Sequence, residues 1–309
     1  MEGWSTDIRF SPSTKTFPLS ITPMNNLNHY ASNTYSQYGE DGIIKRIFEI
    51  LPPKEIRWCV EFGAWDGKFL SNTHELLANR SWKGVLIEGN PKKIPALNKT
   101  YQGNSNAILL NRFVSFESPN TLDDILKETD IPLDFDLLSI DIDGNDYHVW
   151  ESVKTYHPAA VVIEFNPTIP SDIEFVQEKN FTLNQGNSLL SLVKLGKEKG
   201  YELIATTFCN GFFVRKDLFG LFELSDNRIT SLWETEKPAP RIFQLYDGTL
   251  VLSEKFKLHW HQKIVTEYQL QALPKSLRFF EDSPTAMGLY RRILRRVYYL
   301  LQAKKNKNS

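Results

Sequence analysis

The sequence predicts a doubly wound α/β fold, a mostly parallel sheet with helices on both faces, and three observations carry that prediction. Strand-like and helix-like stretches alternate from residue 57 to residue 199, the signature of repeated β-α units. The first strand-like run, Trp58-Cys59-Val60-Glu61-Phe62, ends beside an acid and opens into the turn Gly63-Ala64-Trp65-Asp66-Gly67. The second, Lys83-Gly84-Val85-Leu86-Ile87-Glu88, also ends in an acid. Glycines in such a turn let backbone approach a ligand, and the helix that follows offers free N–H groups. A carboxylate at the tip of the second strand accepts both hydroxyl hydrogens of a ribose. Together these features imply a bound nucleoside.

Taken in order, residues 1–34 are rich in Ser, Thr, Asn and Pro without periodicity, which predicts an arm or lid, with order beginning near Tyr35. Ile43, Ile44, Ile47, Phe48 and Leu51 recur at helical spacing over residues 41–51, and Pro52-Pro53 ends that helix. Strands are expected at Arg57–Phe62, Gly84–Glu88, Ala107–Val114, Leu137–Asp141, Ala160–Phe165, Glu202–Thr207 and Asn210–Val214. Helices are expected at Ser71–Asn79, Lys92–Tyr101, Thr121–Glu128, Val149–Tyr156 and Ser188–Lys199. The last two strands lie so close in sequence that they predict an antiparallel hairpin at the sheet edge. Residues 35–216 thus form the expected cofactor-binding domain. Residues 217–282 lose the repeat and form an appendage near the substrate side, with a hairpin at Arg241–Tyr246 and Thr249–Leu252 around Asp247-Gly248. Residues 283–309 hold a basic amphipathic helix, with Leu289, Ile293, Val297, Leu300 and Leu301 opposite Arg291, Arg292, Arg295 and Arg296, then a tail from Lys304. Such a helix packs over a domain or lies on an anionic membrane.

Composition narrows the function classes. The chain has 309 residues, 41% hydrophobic and 13% aromatic, enough for one large α/β domain with additions. A formal net charge of -1 gives no global attraction to nucleic acid or anionic lipid. Two cysteines, Cys59 and Cys209, sit in apolar runs and are too few for a disulfide framework, which fits a reducing, cytoplasmic setting. No run approaches the ~20 apolar residues of a membrane span.

The nucleoside site is expected to involve Glu61 and Glu88. Glu61 is placed to meet an ammonium, directly or through water, or to cap loop amides. Gly63 and Ala64 permit close backbone approach, Asp66 orients the turn, and Asn72 either caps a helix or contacts a ligand carboxylate. Glu88 is the ribose acceptor. Asp141-Ile142-Asp143-Gly144-Asn145-Asp146-Tyr147-His148 follows an apolar strand, which puts its acids at the ligand crevice of an open sheet. A dinucleotide fold would require G-x-G-x-x-G, and only Gly63 and Gly67 are present, which disfavours an NAD enzyme.

The glycine turn beside Glu61, with Glu88, resembles the first motifs of class I S-adenosylmethionine-dependent methyltransferases. With Ser36-Gln37-Tyr38-Gly39-Glu40-Asp41 upstream, Leu138-Ser139-Ile140-Asp141-Ile142-Asp143-Gly144 in the middle and Val161-Val162-Ile163-Glu164 after it, residues 35–215 are similar to the FkbM-like branch. The resemblance implies a seven-stranded Rossmann-like methyltransferase sheet, S-adenosyl-L-methionine as cofactor, and a hydroxyl acceptor on a sugar, glycan or small metabolite. It also implies cofactor contacts from Gln37, Tyr38 and Asp141, and adenine contact from Val114 and Ser115.

Two readings of the acidic cluster stay open. Asp141, Glu164 and Asn166 at neighbouring strand ends can converge as oxygen ligands for Mg²⁺, similar to O-methyltransferases of the catechol type. Alternatively Asp141 lies near the sulfonium, Glu164 orients substrate, and Asp143 caps the next helix. The proton of the acceptor is expected to go to His148, since an unperturbed imidazole is a base near neutral pH, or to Asp143 or Asp146. The loop Asn184–Ser188 lines the acceptor site or caps a helix, and His259 and His261 around Trp260 form an aromatic and polar patch. A non-catalytic nucleoside-binding regulator and a nucleotide-sugar enzyme using Asp141-Ile142-Asp143 are the competing readings.

Overall fold

The structure, a computed structural model, describes residues 26–79, 82–233, 242–245, 249–252, 255–258, 261–271, 273–274 and 288–307. The chain separates into two compact units, Met1–Thr235 and Glu236–Ser309. The first contains strands β1 (Trp58–Phe62), β2 (Lys83–Ile87), β3 (Ala107–Leu110), β4 (Leu137–Ile140), β5 (Ala160–Glu164), β6 (Tyr201–Thr206) and β7 (Asn210–Arg215). Their order is β3-β2-β1-β4-β5-β7-β6, with β7 antiparallel to both of its neighbours and the other pairs parallel. This is the expected seven-stranded, doubly wound, Rossmann-like sheet, with the hairpin that the sequence places at its edge.

Strand periodicity decides which side chains meet which helices. Val60, Phe62, Leu138, Ile140, Val161 and Ile163 point to one face, where α4 (Leu122–Leu126), α5 (Asp146–Ser152) and α6 (Leu189–Glu198) cover them. Cys59, Leu137 and Val162 alternate to the other face, under α1 (Glu40–Ile50), α2 (His74–Asn79) and α3 (Ile94–Thr100). Burial of each large apolar side chain in these two layers contributes roughly 1.5–3 kcal/mol.

The structure corrects several expected boundaries. β3 stops at Leu110 rather than Val114, because the Asn111 side-chain amide takes the Glu88 carbonyl at 2.7 Å and ends the ladder. α5 runs Asp146–Ser152 rather than Val149–Tyr156. The Asp146 carboxylate accepts the Ile142 and Gly144 N–H groups, both at 2.9 Å, and fixes the helix start. Asp123 accepts the Lys154 and Thr155 N–H groups, both at 2.8 Å, and draws the chain out of the helix. The core also begins before Tyr35. A 3-10 helix spans Leu27–Tyr30, Leu27 is buried in the α1–α3 layer, and the Asn28 side chain accepts the Thr206 N–H at 3.1 Å. A single apolar anchor in a polar stretch leaves no periodicity to detect. Residues 1–25 of the expected arm lie outside the described residues.

After β7 the first unit adds α7 (Lys216–Phe219) and α8 (Ile229–Leu232). The second unit holds an antiparallel hairpin of β8 (Ile242–Gln244) and β9 (Leu250–Leu252), where the sequence predicts one, with Asp247-Gly248 outside the described residues. A second hairpin, β10 (Phe256–Lys257) with β11 (Ile264–Val265), and α9 (Glu267–Leu270) are too short to give a sequence signal. α10 spans Leu289–Lys307 and so continues through the lysines expected to form a tail. Apolar periodicity stops at Leu301, but Gln302, Ala303, Lys304 and Lys305 are good helix formers.

Candidate cofactor pocket and carboxylate cluster

β1 and β4 are adjacent while their crossovers lead to opposite sides of the sheet, so the crevice outside their carboxyl ends is a topological switch point. Gly63 sits there at φ 74°, and a Cβ at this position would lie 2.1 Å from the Asp141 carbonyl oxygen. Only glycine lets these two strand ends meet. Gly67, at φ 72°, similarly faces the Tyr101 ring, 2.5 Å from where a Cβ would stand. The Tyr101 hydroxyl donates to the Gly67 carbonyl at 2.8 Å and lies 3.0 Å from His74 Nδ1. Burial pushes the Tyr101 phenol up and the His74 imidazole down, so both stay neutral around the turn. Ala64 is buried and donates to the Ile87 carbonyl at 3.2 Å. Asp66 Oδ1 accepts the Lys68 and Phe69 N–H groups at 3.0 and 2.8 Å, and so orients the turn as expected.

Glu88 is buried beside this turn, accepting the Trp65 N–H on Oε2 at 2.8 Å and the Asn90 N–H on Oε1 at 2.6 Å. One lone pair on each oxygen stays available. Glu88 lines a cavity of about 350 Å³, together with Gly63, Asn90, Arg112, Phe113 and Val114. That volume is near the lower end for small-ligand sites. Val114 lines the pocket, whereas the Ser115 hydroxyl accepts the Glu117 N–H at 3.2 Å and serves its own turn. Sequence reasoning missed Asn90, Arg112 and Phe113. Phe113 is half exposed and meets Phe181 edge-on at 4.8 Å; Phe181 in turn stacks on Phe116 at 5.0 Å. The aromatic residue beside Val114 was the available signal.

Other expected cofactor contacts belong mainly to the scaffold. Glu61 is buried, accepting the Ser71 and Thr73 hydroxyls on Oε2 at 2.6 and 2.7 Å and the Asn72 N–H on Oε1 at 2.9 Å. Burial raises its pKa, against the lowering effect of those three bonds. Loop capping, one of its two expected roles, is thus present. Asn72 does not cap α2; the Ser71 hydroxyl accepts the His74 N–H at 3.0 Å, and the Asn72 amide instead donates to Ser139 at 3.1 Å. Gln37 and Tyr38 both donate their N–H groups to Glu40 Oε2, at 3.0 and 2.7 Å. The exposed Tyr38 ring lies 5.0 Å from Phe208, and burial together with Cys209, Glu40 and Glu164 raises its phenol pKa.

Asp141, Asp143 and Glu164 offer oxygens that all lie within 4.8 Å of one another. Asp143, at φ 57°, is turned back beside Asp141 by the left-handed step that precedes Gly144. Asp141 meets solvent at the crevice floor, yet protein surrounds it closely enough that desolvation, then the charges of Asp146 and Asp143, push it up to about 8. Desolvation and Asp141 push Glu164 up to about 10, and a hydrogen bond joins the two. Both shifts run upward, so at neutral pH the pair holds at least one proton between its carboxylates. The same oxygen-only set also suits a hard divalent cation, which would satisfy the repulsion in its place. Asn166 Oδ1 accepts the Thr168 N–H and hydroxyl at 2.9 and 2.6 Å, and its Nδ2 donates to the Gln185 carbonyl at 2.9 Å. Its amide thus holds a loop, and Asp143 takes the third place in the cluster.

Asp143 does not cap α5; Asp146 fixes the start of that helix, as described above. Burial raises Asp146 to about 6, against the lowering effect of its backbone hydrogen bonds. His148 is buried on α5 with Nε2 2.8 Å from the Gln177 carbonyl, facing the loop before α6 and outside the carboxylate group. That loop is stapled by Gln177, whose Oε1 accepts the Gln185 and Gly186 N–H groups, both at 2.9 Å. Ser188, not Asn187, caps α6. His261 is exposed, and His259 and Trp260 lie outside the described residues.

No family model matches the chain, and no curated protein matches it. Among solved structures, the N-terminal domain of EvdMO1 with SAH bound is 13% identical, over 60% of this chain and 82% of that one, at a TM-score of 0.37. The CMeT domain of the citrinin polyketide synthase is 12% identical, over 57% and 51%, at 0.39. M. capricolum TrmK in complex with S-adenosyl-homocysteine is 12% identical, over 55% and 66%, at 0.33. The strand order, rather than these partial likenesses, carries the fold assignment.

Proposed function

We propose that this protein is an S-adenosylmethionine-dependent methyltransferase acting on a hydroxyl of a sugar, glycan or other small metabolite. The observation that carries the reading is the Gly63 approach to Asp141 at the switch point, beside a cavity walled by Glu88. Glu88 accepts the two ribose hydroxyls, and Phe113 and Val114 offer the adenine an apolar wall. The methyl carbon then lies toward Asp141 and Asp143. The acceptor oxygen attacks in line, its new bond to the methyl carbon forming as the sulfur–methyl bond breaks. The sulfur leaves as the neutral thioether of S-adenosylhomocysteine, and the hydroxyl proton passes to a crevice carboxylate, for which Asp143 is better placed than the buried His148. A magnesium ion at Asp141, Asp143 and Glu164 would acidify and orient that hydroxyl. The acceptor class follows from the sequence resemblance.

Calorimetric titration with S-adenosylmethionine and S-adenosylhomocysteine tests this reading. Glu88→Gln keeps polar contact with the turn but removes two charge-assisted bonds, so affinity should fall about 100-fold. A wild-type protein that binds neither compound, but does bind NAD or a UDP-sugar, overturns the proposal. Binding without turnover on any hydroxyl acceptor would favour the non-catalytic nucleoside-binding reading.

A further inference from the structure

We infer that α10 is an in-plane anchor for an anionic lipid surface. Within the described residues no helix is long and apolar enough to cross a membrane, so α10 would lie on the bilayer and not span it. Its sequence, LYRRILRRVYYLLQAKKNK, contains four arginines, three lysines and no acid. At 3.6 residues per turn, Leu289, Tyr290, Ile293, Leu294, Val297, Leu300 and Leu301 fall within an arc of about 140°, and the arginines occupy the opposite arc. The apolar arc is left open: Leu289 is 74% exposed, Ile293 53%, Leu300 60% and Leu301 61%.

Charge decides between the occupants that would cover this face. A second copy of α10 would bring one cationic helix against another, and its 19 residues are fewer than the three to four heptads of a dependable coiled coil. A surface of anionic headgroups instead complements every charge on the helix, while the leucines and isoleucine enter the acyl boundary. Arginine stems then reach outward to phosphate, and the tyrosines suit the interface. The overall charge of -1 does not oppose this, because the cations are concentrated on one element.

The test is flotation of the full chain with phosphatidylcholine vesicles, alone or mixed with phosphatidylserine. The protein should float with the mixed vesicles only, and added salt should release it. The triple change Arg292→Glu, Arg295→Glu and Arg296→Glu should weaken that binding about 100-fold, taking each lost cation as roughly fivefold. Ile293→Asp, which leaves the arginines in place, should weaken it at least tenfold. Unchanged thermal melts would show that both variants remain folded. A wild-type chain that stays out of the anionic vesicle fraction overturns the inference, as does vesicle binding indifferent to both variants. A solution dimer that Ile293→Asp dissociates, without vesicle binding, would assign the face to a second copy and overturn it as well.

Discussion

The pair formed by Asp141 and Glu164 makes stability depend on pH with a sign opposite to that of most carboxylates. Glu164 rises from its ordinary value to about 10, so the folded chain keeps a proton that the unfolded chain releases. The unfolded state therefore binds fewer protons between about pH 5 and pH 9, and stability falls as pH rises through that window. One proton sets a ceiling of about 1.4 kcal/mol per pH unit. From pH 5.5 to 8.5 that ceiling is about 4 kcal/mol; water reaching Asp141 across the crevice screens the repulsion, and about 2 kcal/mol is the working figure. At roughly 2–4 °C per kcal/mol for a domain of this size, the melting temperature should drop by about 5 °C or more. Glu164→Gln retains a donor toward Asp141 but cannot ionise, so its profile should be flatter and the variant should melt above wild type at the alkaline end. Scanning calorimetry of both proteins in chelator-treated buffers across the range measures this directly. Parallel profiles would refute the shared-proton argument. Adding Mg²⁺ separates the two occupants, because a bound cation stabilises the wild type at alkaline pH and leaves the variant unchanged.

Gly63→Ala forces a Cβ to 2.1 Å from the Asp141 carbonyl at φ 74°, and should cost at least about 2 kcal/mol in urea unfolding while abolishing S-adenosylhomocysteine binding. Wild-type affinity in that variant would contradict the close approach. Tyr101→Phe removes the bond to Gly67 and the partner of His74, so unfolding free energy should fall by about 1–2 kcal/mol and cofactor affinity should weaken with it. At the opposite end of the strands, Asp136 is buried, pairs with Arg57 at 3.1 Å and Lys54 at 3.3 Å, and accepts the Trp58 N–H at 2.9 Å. Asp136→Ala should cost about 3–5 kcal/mol yet leave affinity near wild type under conditions where the variant is folded, as titration would show.

The sheet was legible because its strands are short, mostly apolar runs alternating with helical segments, and the hairpin because only Thr207-Phe208-Cys209 separates its strands. Helix ends were less so. α5 begins and ends where it does through Asp146 and Asp123, and Asp123 is distant in sequence from the amides it accepts. Glu88 and Asp141 directly follow β2 and β4, where the strand ends placed them, and Val114 lines the pocket although β3 stops short of it at Leu110. Phe113, Arg112 and Asn90 were missed because a loop residue declares no orientation until the strand before it has a register. Asn72 and Asn166 have the right chemistry at the right height on the sheet, but nearer partners, Ser139 for one and Thr168 and Gln185 for the other, engage their amides.

What each acid is bonded to and what it faces separates scaffold from chemistry more sharply than its height on the sheet does. Glu40 accepts the Gln37 and Tyr38 N–H groups on one oxygen and the Thr207 hydroxyl and Asn210 amide on the other. One Asp41 oxygen gathers the N–H groups of Thr34, Tyr35 and Ser36. Glu61 takes three such bonds from the segment that leads into α2, and the fully buried Asp146 takes one N–H on each oxygen from the loop before α5. These four acids hold the crevice walls, and a ligand would have to break a wall to use them fully. Glu88 also takes one N–H on each oxygen but lines the cavity, and Asp141, Asp143 and Glu164 face one another with more negative charge than their hydrogen bonds offset. An imbalance of that kind persists in a folded protein when a proton, a cation or a substrate group completes it. Gly63 lines the cavity with Glu88 and meets the Asp141 carbonyl, so the end of β4 that leads into the carboxylate cluster lies beside that cavity, the arrangement that the proposed sulfonium cofactor and attacking hydroxyl would require.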